Sequence, residues 1–348
     1  MPPNYLKDWI AANPAAIKWQ NHLVRALVDE SAEIERLYYY PEPFWPKGKL
    51  LPSKENIPSR IVSSENKLKY INIFGLRNYT LYKSLRKILK IKTQNNTTQP
   101  LIIISYNSPK WINKIFSDSD IRSKFCCVYV IADTEVIPGA NGYVFLSYYS
   151  FKKQNKKIKK LHLDGAIYPK IKVKNSSVPY KLKKNKTIFL YSGSLHKWSG
   201  FNLLIVALKH IKEENFELWV SGPGDHIDLK SALKKERRIK FLGLLNETKL
   251  ANAYKNADIF INPRPVRMPG NEINFPSKLF DYLSWNKPII STKTKSLSPA
   301  YKEILHFVED NPLATARAIK SYISGKKYNK YKFDKWKKKK IGIIKPKG

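Results

Sequence analysis

Short apolar runs alternate with amphipathic stretches along most of the chain. Apolar side chains recur at helical spacing from Ala15 to Leu27, which predicts a first helix, and a basic helix is predicted from Tyr79 to Ile91. Strands are predicted for IERLYYY, KYINIFGL, PLIIISYN, FCCVYVIAD and GYVFLSYYS, and PLIIISYN and FCCVYVIAD are apolar enough to be buried on both faces. This alternation predicts an α/β domain with a mainly parallel sheet.

A second, more regular series follows a Lys-rich segment from Ser150 to Lys186, which we interpret as the edge of a first domain and a linker. Its predicted strands are KTIFLYSGSL, FELWVSGPGD, IKFLGLL, DIFINPRP and KPIISTK, and its predicted helices are GFNLLIVALKHIK, NETKLANAYKNA and PSKLFDYLSWN. We therefore predict two α/β domains, residues 1–180 and 181–315, and a basic helical tail over residues 316–348.

The composition adds a large positive charge to this picture. The 348 residues include 64 Lys and Arg against 27 Asp and Glu, a formal net charge of +37, which implies an anionic partner: nucleic acid, a phospholipid surface or a phosphorylated substrate. The adjacent Cys126 and Cys127 cannot form a disulfide framework, which fits a reducing cytosol. Because the chain shows neither a spanning apolar run nor the apolar core of a signal peptide, we expect a cytoplasmic protein, soluble or peripheral on a membrane.

The segment NEINFPSKLFDYL carries the first candidate chemistry. If Pro276 is the first helical residue, the amides of Ser277 and Lys278 are unpaired donors at the positive end of a helix, which suits a phosphate group. Asp281 lies one turn further on the same face and suits the vicinal hydroxyls of a ribose. The alternative is structural: Ser277 caps the helix, and Lys278 pairs with Asp281 on a solvated face.

Three other loops follow predicted strands. Gly193 and Ser194 lie in a strand-to-helix turn, Gly222 lies in VSGPGD, and Arg264 comes directly after DIFINP. Ligands of open α/β sheets bind beyond such strand ends, so we expect these residues to line one crevice. The alternative for Arg264 is an ordinary surface position.

Taken together and in order, YSGSLHKWSGFNLLIVAL, ELWVSGPGD, FLGLLNETKLANAYKNADIFINPR and FPSKLFDYLSWNKPII resemble the C-terminal domain of GT-B glycosyltransferases. The resemblance is strongest to the retaining family 4 type of bacterial surface-polysaccharide synthesis and covers about residues 186–310. It implies two Rossmann-like domains facing a cleft, an N-terminal acceptor domain and a C-terminal domain that holds the nucleotide-sugar. It also implies no essential metal and no cofactor, and we expect the basic C-terminal helix to pack back on the N-terminal domain.

The chain departs from the family pattern at several positions. The family has two glutamates eight residues apart: the second falls on Asp281, and the first falls on Ile273, with Glu272 one residue away. The usual Arg after the first Gly is Ser194, and the usual Lys before the next Gly is Ser199. Arg264 and Lys278, with Lys197 behind them, are the expected replacements for the two missing cations. The substrate-binding candidates are thus Gly193, Ser194, Lys197, Gly222, Leu244, Glu272, Phe275, Pro276, Ser277 and Asp281.

The catalytic candidates are Arg264, Lys278 and Asp133. Asp133 ends the strand CVYVIAD, where acceptor-side residues lie in this architecture, so we expect it to contact or deprotonate the acceptor hydroxyl; the alternative is a turn cap, with Glu135 in reserve. Asp118 and Asp120 form a D-x-D that we interpret as helix caps and not as a metal site.

We therefore expect a hexosyltransferase that acts from a UDP- or GDP-sugar donor on a glycan or lipid-linked oligosaccharide acceptor, with retention and without a metal. Two lysine clusters, residues 152–160 and 337–340, suit an anionic membrane surface, which predicts a peripheral location on the inner face of the plasma membrane. The alternatives are a degenerate sugar-nucleotide-binding protein and, with less support, a nucleic-acid-binding protein, for which no known module is recognisable.

The start of the chain lacks the apolar strand that opens a GT-B N-terminal sheet. We predict that this strand is missing or replaced by a short edge strand near Tyr5 to Trp9. The strands RLYYY and YINIFGL would then have an exposed or loop-covered edge, which would make this domain the less stable of the two.

Overall fold

The computed structural model describes residues 14–39, 42–52, 64–95, 100–166, 185–224, 227–326 and 343–344. The chain divides into two compact units: Met1–Leu146, Gln154–Leu163 and Ile344–Gly348 form the first, and Ser147–Lys153 and Asp164–Ile343 form the second. Each unit contains a parallel sheet and helices, which confirms the α/β class. The domain boundaries expected from the sequence stay predictions.

The elements up to residue 162 are α1 (Pro14–Asp29), β1 (Glu35–Tyr38), β2 (Ser64–Lys67), α2 (Leu76–Asn95), β3 (Leu101–Tyr106), α3 (Asn113–Phe116), α4 (Ser119–Arg122), β4 (Phe125–Ile131), β5 (Gly142–Phe145), α5 (Tyr148–Lys153) and β6 (Lys160–His162). All belong to the first unit except α5, which belongs to the second. Strands β3, β4, β5 and β6 form a parallel sheet in that order, and β1 pairs with β2 in a separate parallel ribbon.

Several strand predictions for this half of the chain are wrong in whole or in part. GYVFLSYYS is a strand only to Phe145, before helix α5 begins at Tyr148, and Cys126 of FCCVYVIAD is exposed. KYINIFGL contains no strand. The segment that follows β2 is irregular, although Leu68, Tyr70 and Asn72 are buried in it. Strand β3 is not buried on both faces, because the side chains of Ile102 and Ile104 are exposed on one of them. It is also an edge strand of its sheet. The proposed edge strand near Tyr5 to Trp9 lies outside the described residues.

The second unit contains β7 (Gly165–Ala166), β8 (Thr187–Ser192), α6 (Phe201–Leu208), β9 (Phe216–Ser221), α7 (Ile227–Lys235), β10 (Ile239–Gly243), α8 (Glu247–Asn256), β11 (Ile259–Asn262), α9 (Lys278–Ser284), β12 (Ile289–Thr292), β13 (His306–Val308) and α10 (Pro312–Ile323). The last strand, β14 (Ile343–Ile344), has one residue assigned to each unit. Six strands form a sheet in the order β10-β9-β8-β11-β12-β13 with parallel pairing throughout. The strand order reverses between β8 and β11, where ligands bind in open α/β sheets.

The apolar runs explain this sheet. Strands β9, β11 and β12 are buried at every position, as expected for strands covered on both faces. Phe189, Phe216 and Leu218 anchor the core, to which α6 and α10 contribute Leu204 and Ile319. The five strands and three helices predicted for this half are all present, whereas α7 and β13 were not predicted.

The C-terminal tail and the linker are only partly described. Helix α10 ends at Ile323, the cluster at residues 337–340 lies outside the described residues, and residues 343–344 form a strand and not a helix. The segment read as a linker contains regular structure, α5, β6 and β7, in its first half. In the part of the chain that is described, no helix combines the length and apolarity needed to span a bilayer.

Candidate active site

The loops after β8 and β9 are joined by backbone contacts at the switch point of the second unit. The Gly193 N–H donates to the Ser221 carbonyl at 2.8 Å, and the Leu195 N–H donates to the Pro223 carbonyl at 2.8 Å. Gly222 has φ +148°, and a Cβ there would lie 1.9 Å from the Gly193 carbonyl oxygen. Only glycine fits such an approach, so the two strand ends form one fixed backbone surface.

Lys278 reaches this surface from the start of α9. Its Nζ lies 2.8 Å from the point that a Gly193 Cβ would occupy, and 4.2 Å from the centre of the Tyr191 ring. The Nζ is buried and has no hydrogen-bond acceptor in the described part of the chain. Burial, and second the charge of Arg264, lower the pKa of Lys278 to about 7. A buried cation that lacks an acceptor is unfavourable until an anion binds beside it.

Arg264 supplies a second cation at the end of β11. Its side chain is buried, and Nη1 donates to the Asn274 carbonyl at 2.8 Å. Gly200 has φ +83°, and a Cβ there would lie 1.8 Å from the Pro263 carbonyl oxygen, so the β11 loop packs directly on the start of α6. The positive charge of Arg264 repels the Lys278 ammonium and so lowers the pKa of Lys278, and an anion at this place would relieve that repulsion.

Asp281 lies one turn after Lys278, next to a tyrosine network. The Tyr282 hydroxyl accepts from the Ser192 N–H at 2.9 Å, and the Ser192 hydroxyl bonds to the Tyr254 hydroxyl at 2.9 Å. Burial raises the pKa of both tyrosines, and the Asp281 charge raises it further. The network therefore fixes the end of β8 to α9, with a carboxylate close by.

The start of α9 differs from the sequence prediction. The helix begins at Lys278, so Pro276 lies two residues before it and is not its first residue. The N–H groups of Leu279 and Phe280 donate to the carbonyls of Pro276 and Ser277 at 2.9 and 3.1 Å, which closes a tight first turn. The structural alternative is also wrong, since the Ser277 side chain makes no cap hydrogen bond and the Lys278 Nζ has no acceptor in the described part.

Of the predicted site residues, Gly193, Gly222, Arg264 and Lys278 come together at the strand ends. Others make structural contacts. The Ser194 hydroxyl accepts from the His196 N–H at 3.4 Å.

Three further candidates also have their side chains committed to the fold or exposed to solvent. Glu272 pairs with Lys295 at 3.3 Å, and Phe275 is buried against Phe280 with ring centres 5.0 Å apart. Leu244 is exposed, and the side chain of Lys197 lies outside the described residues. The roles of these residues in binding stay predictions.

Asp133 belongs to the first unit. It is exposed just after β4, and its carboxylate accepts from the Asn107 amide at 2.7 Å. Asp118 caps α4 by accepting from the N–H groups of Asp120 and Ile121, and it pairs with Arg86 at 2.5 Å, so this aspartate is a helix cap as predicted. In the described residues no group of three His, Cys, Asp or Glu side chains could hold a metal ion.

Sequence reasoning missed Tyr191, Tyr282 and Asn271. The Tyr191 ring lies under the Lys278 ammonium, and the Asn271 amide donates to the carbonyls of Trp198 and Pro265 at 3.0 and 2.8 Å. Both tyrosines lie in apolar segments, where the sequence pattern does not distinguish them from core residues. The one available signal was their position next to site candidates, two residues before Gly193 and directly after Asp281.

Comparisons with known proteins identify the family that the second unit matches and the fold of the chain. Residues 186–325 match the model of the glycosyl transferases group 1 family. A glycosyltransferase from Rickettsia africae ESF-5 superposes with a TM-score of 0.63 at 15% identity, over 97% of this chain and 92% of that one. No curated protein matches the chain significantly.

Two further solved structures share the fold. The lipopolysaccharide outer core galactosyltransferase WaaB gives a TM-score of 0.59 at 14% identity, over 93% of this chain and 90% of its own. Anabaena Alr3699/HepE, solved with UDP and glucose, gives 0.56 at 13% identity, over 90% and 87%. The chain thus has the fold of GT-B glycosyltransferases, and residues 186–325 carry the match to glycosyl transferases group 1.

Proposed function

We propose that the protein is a glycosyltransferase that moves a hexose from a UDP- or GDP-sugar to a carbohydrate hydroxyl. The observation that carries this proposal is the buried Lys278 ammonium without an acceptor, beside Arg264 and the Gly193 backbone at the sheet's switch point. This is where an anionic ligand gains most, and it lies inside the region that matches the glycosyl transferases group 1 model.

In this proposal the two cations hold the donor diphosphate. As the bond between the sugar and the diphosphate breaks, negative charge develops on the departing phosphate oxygen. Lys278 and Arg264 are already in place and largely shielded from water, so they stabilise that charge without reorganising. Gly193 and Gly222 let the phosphates approach the backbone, and Asp281 is the proposed acceptor for the ribose hydroxyls. With two cations at the phosphates, we propose that the reaction needs no metal.

Further parts of the proposal rest on resemblance. Retention of configuration and family 4 membership are supported by the resemblance of the second unit's motifs to that family. A glycan or lipid-linked acceptor, with Asp133 as the candidate for its hydroxyl, is supported by the likeness to a lipopolysaccharide galactosyltransferase. A UDP-sugar donor is supported by the likeness to a protein solved with UDP and glucose. We also propose a cytoplasmic enzyme, peripheral on the inner face of the plasma membrane and not bound to nucleic acid, since the excess of lysine suits anionic lipid.

The deciding experiment measures release of nucleotide from a panel of UDP- and GDP-sugars, with simple sugars as acceptors. Release of UDP or GDP from one donor by the wild-type protein, with loss of release in Lys278→Met, supports the proposal. Binding of a nucleotide-sugar without any release supports the degenerate binding protein instead. Unchanged nucleotide affinity in Lys278→Met and Arg264→Ala would place the site elsewhere.

A further inference from the structure

Two loops of the first unit and the start of α2 expose an apolar surface that the described part of the chain leaves uncovered. Its members are large apolar side chains, here called the aromatic patch: Phe44, Trp45, Leu50, Leu51, Ile71, Phe74, Leu76 and Tyr79. Phe74 is 81% exposed, Leu51 67% and Trp45 55%. Single exposed apolar residues are common, but a contiguous group of this size indicates a surface that binds another protein, a membrane or a ligand.

The two loops are held together, so the aromatic patch is one surface. The Trp45 N–H donates to the Asn72 carbonyl at 2.9 Å, and the Asn72 N–H donates to the Leu50 carbonyl at 2.8 Å. The buried Asn72 amide also donates to the carbonyls of Pro43 and Lys49 at 2.7 and 2.9 Å. This one side chain therefore crosslinks both loops.

Ring contacts complete the link. The rings of Phe44 and Phe74 meet edge to face with centres 5.4 Å apart, and the Arg77 guanidinium stacks 3.8 Å above the Phe44 ring. The inner side of the patch is thus packed and hydrogen-bonded, while its outer side chains remain in water.

Positive charge surrounds the aromatic patch. Lys47 and Lys49 lie in one loop and Lys69 lies before the other, while the Lys83 Nζ lies 5.5 Å from the centre of the Tyr79 ring. In the sequence of residues 42–52 and 69–83 the one carboxylate is Glu42, and it accepts a hydrogen bond from the Lys49 N–H at 3.3 Å. The partner of this surface therefore has an apolar interior and an anionic face.

We propose that the aromatic patch inserts into the headgroup region of an anionic phospholipid bilayer, while the surrounding lysines contact lipid phosphates. Trp, Phe and Tyr side chains favour the boundary between water and acyl chains, and lysines beside them attract anionic lipid. A second copy of this chain fits less well, because each copy carries a net charge of +37 and would present lysines to lysines. This inference rests on the proposed peripheral location and is independent of the proposed transfer reaction.

Vesicle partition tests the proposal. Wild type, Phe74→Ala, Leu51→Ala and the double variant are mixed with phosphatidylcholine vesicles that contain either no phosphatidylserine or 30% phosphatidylserine. Leu313→Ala is the matched control, since Leu313 is 52% exposed on α10 in the other unit. We expect the wild type to prefer the anionic vesicles, each single substitution to weaken partition about tenfold and the double substitution about a hundredfold, the factor that burying a large apolar side chain supplies. The control should bind as the wild type does.

The salt dependence of partition distinguishes insertion of the aromatic patch from binding through the lysines alone. Raising the salt concentration screens the lysines and weakens partition of every variant, but the ratio of wild-type to Phe74→Ala partition should stay near tenfold because burial of apolar area is not screened.

Equal partition of wild type and double variant would overturn the inference while leaving a lysine-based peripheral location intact. No binding of the wild type to anionic vesicles would overturn both. A dimer detected by sedimentation that Phe74→Ala dissociates, with vesicle binding unchanged, would assign the patch to a second copy. Nucleotide release measured in the same samples without vesicles reports the transfer reaction separately.

Discussion

Lys278→Met is the most informative substitution, because the structure predicts opposite effects on stability and on ligand binding. The Lys278 ammonium is buried without an acceptor among the described residues, and its pKa falls to about 7 through burial first and the Arg264 charge second. Methionine has a similar length and volume and no charge to desolvate, so it fills the same space and removes this unfavourable burial. The variant should therefore be more stable than the wild type and bind nucleotide more weakly.

The pH dependence gives the sign and the size of the stability effect. An unfolded lysine keeps its ordinary pKa of 10.5, so between pH 7 and pH 10.5 the unfolded chain holds a proton that the folded chain has released. Wild-type stability should rise with pH over that window. At about 1.4 kcal/mol per pH unit the gain from pH 7 to pH 9.5 has an upper bound of about 3.5 kcal/mol. The Tyr191 ring at 4.2 Å favours the charged form and reduces the gain, so we expect about 1–3 kcal/mol.

Denaturant unfolding of wild type and Lys278→Met at pH 7 and pH 9.5 measures this effect. The difference in the free energy of unfolding should favour the variant at pH 7 and shrink by about 1–3 kcal/mol at pH 9.5. Lys249→Met, at an exposed lysine of α8, is the control and should show neither effect. The inference that the Lys278 ammonium is buried without an acceptor would be refuted by a variant less stable than the wild type at pH 7. A difference in the free energy of unfolding that does not change with pH would refute it as well.

The same variant reports on the ligand. Loss of one charged hydrogen bond should weaken UDP or GDP binding by about 1.5–3 kcal/mol, roughly tenfold to a hundredfold. A diphosphate beside Lys278 restores the charged form, so nucleotide binding by the wild type near pH 8 should take up a proton. Calorimetry in buffers of different ionisation enthalpy detects that proton, and its absence would separate Lys278 from the phosphates.

Three further predictions concern the same unit. Gly222→Ala places a Cβ 1.9 Å from the Gly193 carbonyl oxygen at φ +148° and should lower the free energy of unfolding by about 2–4 kcal/mol. Gly325→Ala, with φ +96° and open space around it, should lower the free energy of unfolding less. An equal loss in both variants would show that backbone strain, and not the clash with the Gly193 carbonyl, destabilises Gly222→Ala. Tyr282→Phe removes the acceptor of the Ser192 N–H and should cost about 1–3 kcal/mol, more than Tyr254→Phe, which affects the Ser192 hydroxyl alone; chemical denaturation that reverses this order would contradict the network. Turnover should survive EDTA because Lys278 and Arg264 supply the positive charge at the phosphates, whereas loss of turnover that Mn²⁺ restores would show a metal-dependent reaction.

The sequence by itself determined the class of fold and most of the second unit. Mostly apolar runs such as FELWVS indicate buried strands, and their regular alternation with helices predicts a parallel sheet. Glycines just after predicted strands, as at Gly193 and Gly222, likewise indicated the loops where two backbone segments approach closely. These features are local, so short windows of sequence are sufficient to recognise them.

Only the tertiary structure decided which candidates meet. Local spacing placed Lys278, Asp281 and Pro276 in one site as a helix-start motif, yet the helix begins at Lys278 and its ammonium lies against Gly193, 85 positions earlier in the chain. The burial that lowers the Lys278 pKa, and the Tyr191 ring beneath it, depend on contacts between separate strands and helices. The exposure of β3 and of the aromatic patch was hidden for the same reason. The identity of an apolar residue does not show whether another element covers its side chain, because burial depends on how the whole fold packs.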